Sequence, residues 1–325
     1  MTGTVLDKAS RWFVAGVLLA SLAGLVAGAL GTYSPALDVL ANARVHLAGL
    51  TVAAGLALWI NHRPVVVLAL GAFLTLAAHS ILAGQSEGPL LAALDGLPTQ
   101  GPGLWTIVSL NTWHAHADAA GLADQLAATN ADVLVLTEFG PNKIETLHAL
   151  AKSFPYRIDC ARQWDCAIAI LSKHPFTSSG SSPEGLGPAT AWLTFGAGQQ
   201  AMTVLGVHVA EPMRSPATHA RELSRLASMT LGISGSILVA GDFNTTPWTA
   251  AFAHFSEVSG LRHMGRFLPS YPSGLSGMPQ LAVDHMFASP AVRFEDVWLG
   301  PDIGSDHRPV LASIRLPETL ISALP

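Results

Sequence analysis

The sequence predicts an α/β domain, a two-layer β-sandwich flanked by helices, preceded by an all-α transmembrane region of about three helices. Three observations lead to this prediction. The chain of 325 residues is 50% hydrophobic, its mean hydropathy is +0.41, and only 12% of its residues are charged. Long uncharged runs occur in the first 100 residues. From Leu104 onward, short β-rich runs alternate with longer helical ones.

Composition and charge divide the chain into four parts. Residues 1–84 are predicted to form the transmembrane anchor, 85–103 a flexible linker, 104–317 the globular domain and 318–325 a tail. The first 100 residues hold four basic and four acidic side chains, so the net charge of −5 lies in the rest of the chain. These properties exclude a disordered chain, a disulfide scaffold and a protein that binds nucleic acid through bulk positive charge.

Three apolar runs account for the predicted spans. Trp12–Gly31 contains no charged residue, and twenty residues of helix cover about 30 Å, the thickness of the hydrocarbon layer. Pro64–Gly84 is of similar length, whereas Val45–Ile60 is short for a span. A cleaved signal peptide is the alternative for the first run, since Lys8 and Arg11 precede it.

The positive charges predict the orientation in the membrane. Lys8 and Arg11 precede the first run, Arg63 lies between the second and third, and the linker contains neither Lys nor Arg. We therefore expect a multi-pass protein of the inner cell membrane, in contact with the lipid bilayer through residues 12–84. Its globular domain would lie on the periplasmic, extracytoplasmic side. Arg44 does not follow this rule, and the domain would face the cytoplasm if the middle run did not span.

Ten strands and four helices are predicted in the globular part. The strands are Leu104–Leu110, Asp132–Thr137, Tyr156–Cys160, Cys166–Leu171, Ala191–Phe195, Met202–Val209, Ile237–Ala240, Leu281–Ala288, Val292–Leu299 and Val310–Leu316. The helices are Ala117–Thr129, Asn142–Ser153, Pro216–Leu231 and Pro247–Phe255. Groups of strands with helices between them imply two packed sheets with helices outside.

Polar side chains follow the ends of several apolar strands. Taken singly, such a residue has a simple structural explanation, because a carboxylate at a strand end more often caps a following helix than holds a metal. Together they offer the hard oxygen ligands that suit Mg²⁺ or Mn²⁺, with no Cys–His cluster of zinc spacing: Asn111, Glu138, Asp242, Asn244 and Asp306. His208 and His307 can move protons near neutral pH. Hydrolysis of a phosphate ester needs this combination.

Six motifs occur in a fixed order along the globular part. They are Ser-x-Asn-Thr-Trp, Leu-Thr-Glu, Val-His, Gly-Asp-Phe-Asn-Thr-x-Pro, Val-Asp-His and Ser-Asp-His-Arg-Pro-Val. This ordered set resembles the endonuclease/exonuclease/phosphatase superfamily, also called DNase I-like, over about residues 104–316. Gly241–Pro247 and Ser305–Val310 are specific in combination. Three apolar segments before such a domain look like the membrane-anchored bacterial branch of the superfamily.

The resemblance implies a divalent-metal site. Glu138 would be the main ligand, helped by Asn111 and, as in some members, by Asp306. Mg²⁺ or Mn²⁺ would be the cofactor, and no residues for an organic cofactor are expected.

The resemblance also implies five catalytic residues. Asp242 would orient or deprotonate the attacking water, with Asn244 positioning that water and the phosphate. His307 would bind the scissile phosphate or act as base, held by Asp284 through its other ring nitrogen. His208 would donate to the phosphate or protonate the leaving group. No catalytic position of the family pattern is missing.

The resulting prediction is a membrane-anchored, metal-dependent phosphoesterase, a hydrolase of ester bonds. Its substrate would be a nucleic acid, a phospholipid or a small phosphoester, and no protein partner can be inferred. The absence of a Lys/Arg cluster removes the main electrostatic contribution to DNA affinity. The alternative is a non-catalytic membrane sensor or scaffold whose exported domain binds a metal or ligand.

Cys160 and Cys166 are the only cysteines and lie at what the sequence predicts to be a hairpin. In an oxidising compartment they could pair across the two strands, and two buried thiols are the alternative. By the resemblance, Arg308 is expected to anchor the loop in which it lies. His285 is not expected to be catalytic. The simplest interpretation of Lys173 is a residue at a strand exit.

Overall fold

A computed structural model describes residues 8–59, 103–115, 119–163, 165–182, 187–273 and 280–321. The described residues fall into two compact units. The first comprises residues of 1–85 and 246–253, and the second residues of 86–245 and 254–325.

The first unit contains three helices in its N-terminal part: α1 (Lys8–Ala29), α2 (Pro35–Ala41) and α3 (Arg44–Trp59). Thr51 of α3 donates a hydrogen bond from its hydroxyl to Ser21 of α1 at 2.9 Å. A Cβ atom at Gly28 would lie 2.9 Å from the backbone nitrogen of Ala41. The glycine therefore lets α1 and α2 approach closely.

Among the described residues, α1 is the one helix that is both long and apolar enough to cross a membrane. The pair α2 and α3 passes the same test only as one broken span, bent by 62°. The part of α3 that the structure describes, which ends at Trp59 together with this stretch of described residues, has 16 residues and covers about 24 Å. The prediction of about three spans is thus not supported. An apolar helix near the N-terminus fits a membrane anchor and a signal sequence alike.

Two predicted segments cannot be compared with the structure. The third apolar run, Pro64–Gly84, lies outside the described residues, and so does the linker 85–103 except for its last residue. The predicted domain boundaries therefore stay predictions. A short helix, α8 (Glu318–Ile321), forms in the segment predicted to be a tail, and its Leu320 is buried.

The second unit is built from two six-stranded sheets. Its strands are β1 (Leu104–Asn111), β2 (Val133–Thr137), β3 (Tyr156–Asp159), β4 (Ala169–Ser172), β5 (Ser178–Ser182), β6 (Ala189–Phe195), β7 (Met202–His208), β8 (Ser236–Asp242), β9 (Arg262–His263), β10 (Asp284–Ala288), β11 (Arg293–Leu299) and β12 (Val310–Arg315). The order is β11-β12-β1-β2-β4-β3 in the first sheet and β5-β6-β7-β8-β10-β9 in the second. Among the described strands each sheet has one parallel pair, β1 with β2 and β7 with β8.

Helices provide the crossovers that parallel strands require. Helix α4 (Ala119–Ala128) lies between β1 and β2, and α6 (Pro216–Leu231) lies between β7 and β8. Pro216 starts α6 because the first turn of a helix has no partner for a backbone N–H. The remaining helices are α5 (Ile144–Leu150) and α7 (Ala250–Ser259).

Alternation along the strands separates two hydrophobic cores. Val135 of β2 packs in one core with Val204 of β7, whereas its neighbour Leu134 packs in the other with Leu122 of α4. Successive side chains of a strand point to opposite faces, so the first core lies between the two sheets. A Cβ atom at Gly206 of β7 would come within 2.9 Å of Val135. Glycine at this position brings the two sheets close together.

The predicted architecture of two packed sheets with flanking helices is confirmed. Two strands were not predicted. They are β5, which consists only of serine and glycine, and β9, which has two residues. The strand predicted to start at Cys166 starts at Ala169 instead, because Cys166 lies in a turn.

The structure selects one of the two alternatives for the cysteines. Cys160 and Cys166 form a disulfide with their Cα atoms 5.8 Å apart. It links the end of β3 to the turn that leads into β4, and these two strands pair with each other.

Candidate active site

The two parallel strand pairs bring the predicted polar residues to one edge of the sandwich. Asn111, the last residue of β1, pairs with Thr137 at the end of β2, and Glu138 follows directly. In the second sheet, His208 at the end of β7 pairs with Asp242 at the end of β8. Carboxyl ends of parallel strands share one edge, so backbone register brings the polar residues together within each sheet.

One further strand and one loop complete the cluster. Asp284, the first residue of β10, pairs with Asp242 of the neighbouring strand β8. Asp306 and His307 lie in the loop before β12. The Ser305 hydroxyl of this loop donates to the backbone oxygen of Asn111 at 2.6 Å.

Asn111 links the two sheets through its side chain. Its Nδ2 donates to Glu138 Oε1 and to Asp242 Oδ2, each at 3.0 Å. Its Oδ1 accepts from the backbone N–H of Trp113 at 2.9 Å. His208 Nε2 lies 3.8 Å from Glu138 Oε1 and 3.9 Å from Asp242 Oδ2. Glu138, the candidate metal ligand, therefore lies close to the catalytic candidates Asp242 and His208.

The Glu138 carboxylate is ionised and held from several sides. Burial alone would raise its pKa, but the hydrogen bond from Asn111, the charge of His208 and the contacts of His114 lower that pKa to about 2. The backbone N–H of His114 donates to Oε2 at 2.7 Å, and His114 Nδ1 lies 2.8 Å from the same oxygen. His114 was not predicted, because a histidine in a loop after a strand carries no sequence signal of its own.

His307 and Asp284 form a buried ion pair. Nδ1 of His307 lies 2.7 Å from Asp284 Oδ2, and the side chains are 6% and 1% exposed. Burial by itself would lower the pKa of His307, but the charges of Asp284, Asp242 and Asp306 and the hydrogen bond to Asp284 raise it to about 10. The imidazole is therefore positively charged at neutral pH, with Nε2 3.9 Å from Asp242 Oδ2.

Asp242 is a buried carboxylate whose surroundings disfavour its ionised form. Burial, followed by the charge of Asp284, raises the pKa of Asp242 to about 6, although His307, His208 and Asn111 act to lower it. Its Oδ1 accepts from the backbone N–H of Asn244 at 2.7 Å. The carboxylate is thus ionised at neutral pH but close to the range in which it accepts a proton.

Two buried histidines hold the loop that carries Asn244, whose φ of 50° lies in the left-handed region. His219 Nε2 donates to the Phe243 carbonyl at 3.2 Å, and His285 Nε2 donates to the Thr245 carbonyl at 2.9 Å. Burial lowers the pKa of both histidines to about 4, so both are neutral at pH 7. Asn244 Nδ2 donates to the Val209 carbonyl at 2.9 Å.

Tyr271 flanks the cluster on its exposed side. Its ring centroid lies 4.7 Å from that of His307, and 37% of the residue is exposed. Burial and the nearby carboxylates of Asp306 and Glu211 raise its pKa. Arg308, as expected, anchors its loop, because its guanidinium donates twice to the Gly300 carbonyl.

The donor set suits a hard divalent cation. The Oδ1 atoms of Asp284 and Asp306 are buried and accept no hydrogen bond from any described residue. Burial raises the pKa of Asp306, with a smaller contribution from the charge of Glu138, although the charge of His307 acts to lower it. Asp242, Asp284 and His307 also lie close enough to share an ion. In that group, however, His307 already bonds to Asp284, so the more suitable position for a cation is beside Glu138 and Asp306.

The sequence matches the model of one known family. The model of the Endonuclease/Exonuclease/phosphatase family matches residues 108–307. No curated protein is similar enough to match the sequence.

Three solved structures share the fold. Sphingomyelinase C from Streptomyces griseocarneus is 15% identical, with 65% of this chain and 99% of that chain covered and a TM-score of 0.51. A humanized D. rerio TDP2 is 16% identical, with 66% and 99% covered and a TM-score of 0.54. An endonuclease/exonuclease/phosphatase from Beutenbergia cavernae is 18% identical, with 66% and 72% covered and a TM-score of 0.53.

Proposed function

The chain belongs to the endonuclease/exonuclease/phosphatase family, and from this premise we propose that it is a metal-dependent phosphoesterase that hydrolyses a phosphodiester or phosphomonoester. Members of this family are hydrolases that act on phosphoester bonds. One observation carries the proposal: Glu138, Asp242 and His307, from three distant parts of the sequence, meet at one edge together with Asn111 and His208.

Glu138, Asn111 and Asp306 are proposed to hold Mg²⁺ or Mn²⁺. Asn111 would bind through Oδ1, which requires its amide to turn, because Nδ2 is the atom that lies against Glu138 and Asp242. When bound, the cation neutralises charge on the phosphoryl oxygens and on the leaving group. Support comes from the ionised Glu138 carboxylate, with its pKa of about 2, and from the buried Asp306 oxygen that no described residue satisfies. Asn111 also fixes the spacing between Glu138 and Asp242 through its two hydrogen bonds.

Asp242 is proposed to take the proton of the attacking water. Its pKa of about 6 makes it a carboxylate at neutral pH that still has useful basicity. The backbone N–H of Asn244 holds Oδ1, so Oδ2 is the oxygen that faces His208 and His307. Asn244 thereby positions the base, and with it the water and the phosphate.

His307 and His208 are proposed to contact the substrate. Protonated His307 donates from Nε2 to a phosphoryl oxygen and stabilises the charge that develops in the transition state. Asp284 keeps the ring oriented and charged through Nδ1. His208, 19% exposed in its side chain, is placed to give a proton to the leaving oxygen.

We propose further that the protein is anchored in the inner membrane through α1 and that its catalytic domain lies on the periplasmic side. The disulfide between Cys160 and Cys166 supports an oxidising compartment. A nucleic acid, a phospholipid and a small phosphoester remain the candidate substrates. The net charge of −5 gives no electrostatic reason to favour nucleic acid.

The test uses the full-length chain in detergent. Hydrolysis of bis(p-nitrophenyl) phosphate, DNA, RNA, phospholipid micelles and sugar phosphates is measured with Mg²⁺, with Mn²⁺ and with EDTA. Activity on one substrate class that EDTA abolishes, and that Glu138→Gln reduces at least about 10²-fold, is expected. Equal activity with EDTA, or in Glu138→Gln, would contradict the proposal. Metal-induced stabilisation without hydrolysis of any substrate would favour the sensor or scaffold instead.

A further inference from the structure

Lys143 is a buried lysine that the mechanism above does not use. It ends a short 3-10 turn after β2, and only 1% of the residue is exposed. A lysine is almost never fully buried unless its ammonium has partners. Here the Nζ atom donates to two backbone carbonyls, that of Trp113 at 2.9 Å and that of Glu138 at 3.2 Å.

Both carbonyls belong to residues with an unfavourable backbone. Trp113 has a φ of 52° and Glu138 a φ of 50°, in the left-handed region that side chains with a Cβ avoid. Such residues persist only where their surroundings fix them. One ammonium group therefore ties together two strained residues, one after β1 and one after β2.

The loop that contains this strained backbone also positions two residues of the candidate metal site. The N–H of Trp113 binds Asn111 Oδ1, and the N–H of His114 binds Glu138 Oε2. If the loop after β1 moved away from Glu138, the carboxylate and the Asn111 amide would both lose a partner. The Lys143 ammonium is the group that holds this loop against the residue after β2.

The charge of Lys143 acts on the same two ligand candidates. Glu138 and Asp306 are the carboxylates that interact with it electrostatically, and both belong to the candidate metal site. A buried positive charge reduces the repulsion between two carboxylates but also repels an arriving cation, so the positioning effect comes from the two hydrogen bonds of the ammonium.

We propose that Lys143 is a positioning residue, which fixes the loop 111–114 against Glu138 so that the Glu138 carboxylate is preset to bind a divalent cation. This inference rests on the proposed function, in that Glu138 is taken as the metal ligand. Lys143 itself neither touches the substrate nor coordinates the ion.

Lys173 provides a matched control. Its Nζ donates to the carbonyl of Asn130 at 3.1 Å and to the side-chain oxygen of the same residue at 2.7 Å. Asn130 has a φ of 52°, so Lys173 also stabilises a left-handed residue. Asn130 precedes β2 whereas Glu138 follows it, so the two lysines act at opposite ends of one strand.

The experiment measures Mn²⁺ binding to the full-length chain in detergent, without substrate, by isothermal titration calorimetry at pH 7. Lys143→Met is expected to raise the dissociation constant about 10–100-fold, the usual effect of losing a partner that orients a ligand. Lys143→Gln, which keeps a shorter donor, should give a smaller increase. Lys173→Met should bind Mn²⁺ within about twofold of the unmodified protein, because its partner lies away from the site.

Kinetics separate positioning from general damage. In Lys143→Met, saturating Mn²⁺ should restore much of the lost kcat, and the KM for substrate should change by less than about twofold, because only metal affinity is reduced. Unchanged Mn²⁺ affinity in a folded Lys143 variant would overturn the inference. Failure of both Lys143 variants to fold, while Lys173→Met folds, would also overturn it. If the unmodified chain binds Mn²⁺ but hydrolyses no phosphoester, the proposed function fails and the inference about Lys143 does not.

Discussion

Two hydrogen-bonded His–Asp pairs among the described residues lie at opposite edges of the sandwich, and their difference shows what makes such a pair reactive. His307 and Asp284 are 2.7 Å apart at the edge where the candidate site lies. His174 and Asp132 are 3.0 Å apart at the other edge, where Asp132 directly precedes β2. The distances are similar, so the hydrogen bond itself does not distinguish the pairs.

Burial and the remaining partners distinguish them. The side chains of His174 and Asp132 are 35% and 23% exposed, against 6% and 1% for His307 and Asp284. The second oxygen of Asp132 accepts from the backbone N–H of Thr106, and the His174 ring stacks on Trp105. The His174–Asp132 pair therefore stabilises the fold. Oδ1 of Asp284, by contrast, is buried without a described partner, and His307 Nε2 faces Asp242.

The largest expected effect comes from removing each histidine in turn. His307→Gln should lower kcat/KM by at least about 10³-fold, because a charged donor to the phosphoryl group is lost. His174→Gln should leave kcat/KM within about twofold, because that pair lies outside the site. Steady-state kinetics with the substrate class that the hydrolysis test selects provide the measurement. A similar loss in both variants would mean that the two pairs are not functionally different.

A second comparison replaces the carboxylates. Asp284→Asn keeps the shape of the side chain but removes the charge that holds His307 protonated, so kcat should fall about 10²-fold. Asp132→Asn should leave kcat unchanged and lower only the thermal stability. Both variants are compared by kcat and by melting temperature, and a loss of kcat in Asp132→Asn would contradict the distinction.

The pH dependence of kcat/KM tests the protonation states that are assigned to Asp242 and His307. Activity needs ionised Asp242, whose pKa is raised to about 6, and protonated His307, whose pKa is raised to about 10. The profile should therefore rise about tenfold per pH unit below 6, stay level, and fall above 10. In Asp284→Asn both limbs should move to lower pH, because the charge of Asp284 raises the pKa of His307 and also that of Asp242. An upper limb that does not move would show that Asp284 does not set the protonation of His307.

The smallest effect concerns His219, which hydrogen-bonds to the Phe243 carbonyl. The pKa of His219 is about 4 in the folded protein against an ordinary 6.5. The unfolded chain therefore binds more protons between these values, and stability falls as pH drops from 6.5 towards 4, by up to about 1.4 kcal/mol per pH unit for one histidine. Urea unfolding from pH 7 to pH 4.5 tests this. His219→Gln should show a shallower slope, and an equal slope would assign the effect to other groups.

Sequence reasoning located much of the candidate site because backbone register does most of the positioning. Asn111, Glu138, His208 and Asp242 lie at or next to the ends of parallel strands, and a strand end in an apolar run can be recognised in one sequence. Lys143 could not be found in this way. A lysine after Gly-Pro-Asn suggests a solvated turn, and its burial depends on the positions of Trp113 and Glu138 in the folded chain.

The failure to predict strand β5 also has a local explanation. β5 contains no apolar side chain, so nothing in Ser178–Ser182 signals that it pairs with β6. The predicted number of spans is not supported by the described residues, in which α1 alone passes as a span and α2 with α3 passes only as one bent span. The composition of a segment alone therefore reveals neither a strand that lacks apolar side chains nor the number of membrane spans.

The cross-strand neighbours His208, Asp242 and Asp284 have a consequence for how such a protein can diversify. Shifting any of these strands by one residue would turn its polar end residue to the opposite face of the sheet, so this part of the machinery cannot be adjusted gradually. The exposed side chains of Met213 and Tyr271 are under no such restriction, because they lie on loops. New substrates can therefore be acquired by exchanging loops while the hydrolytic core stays as it is.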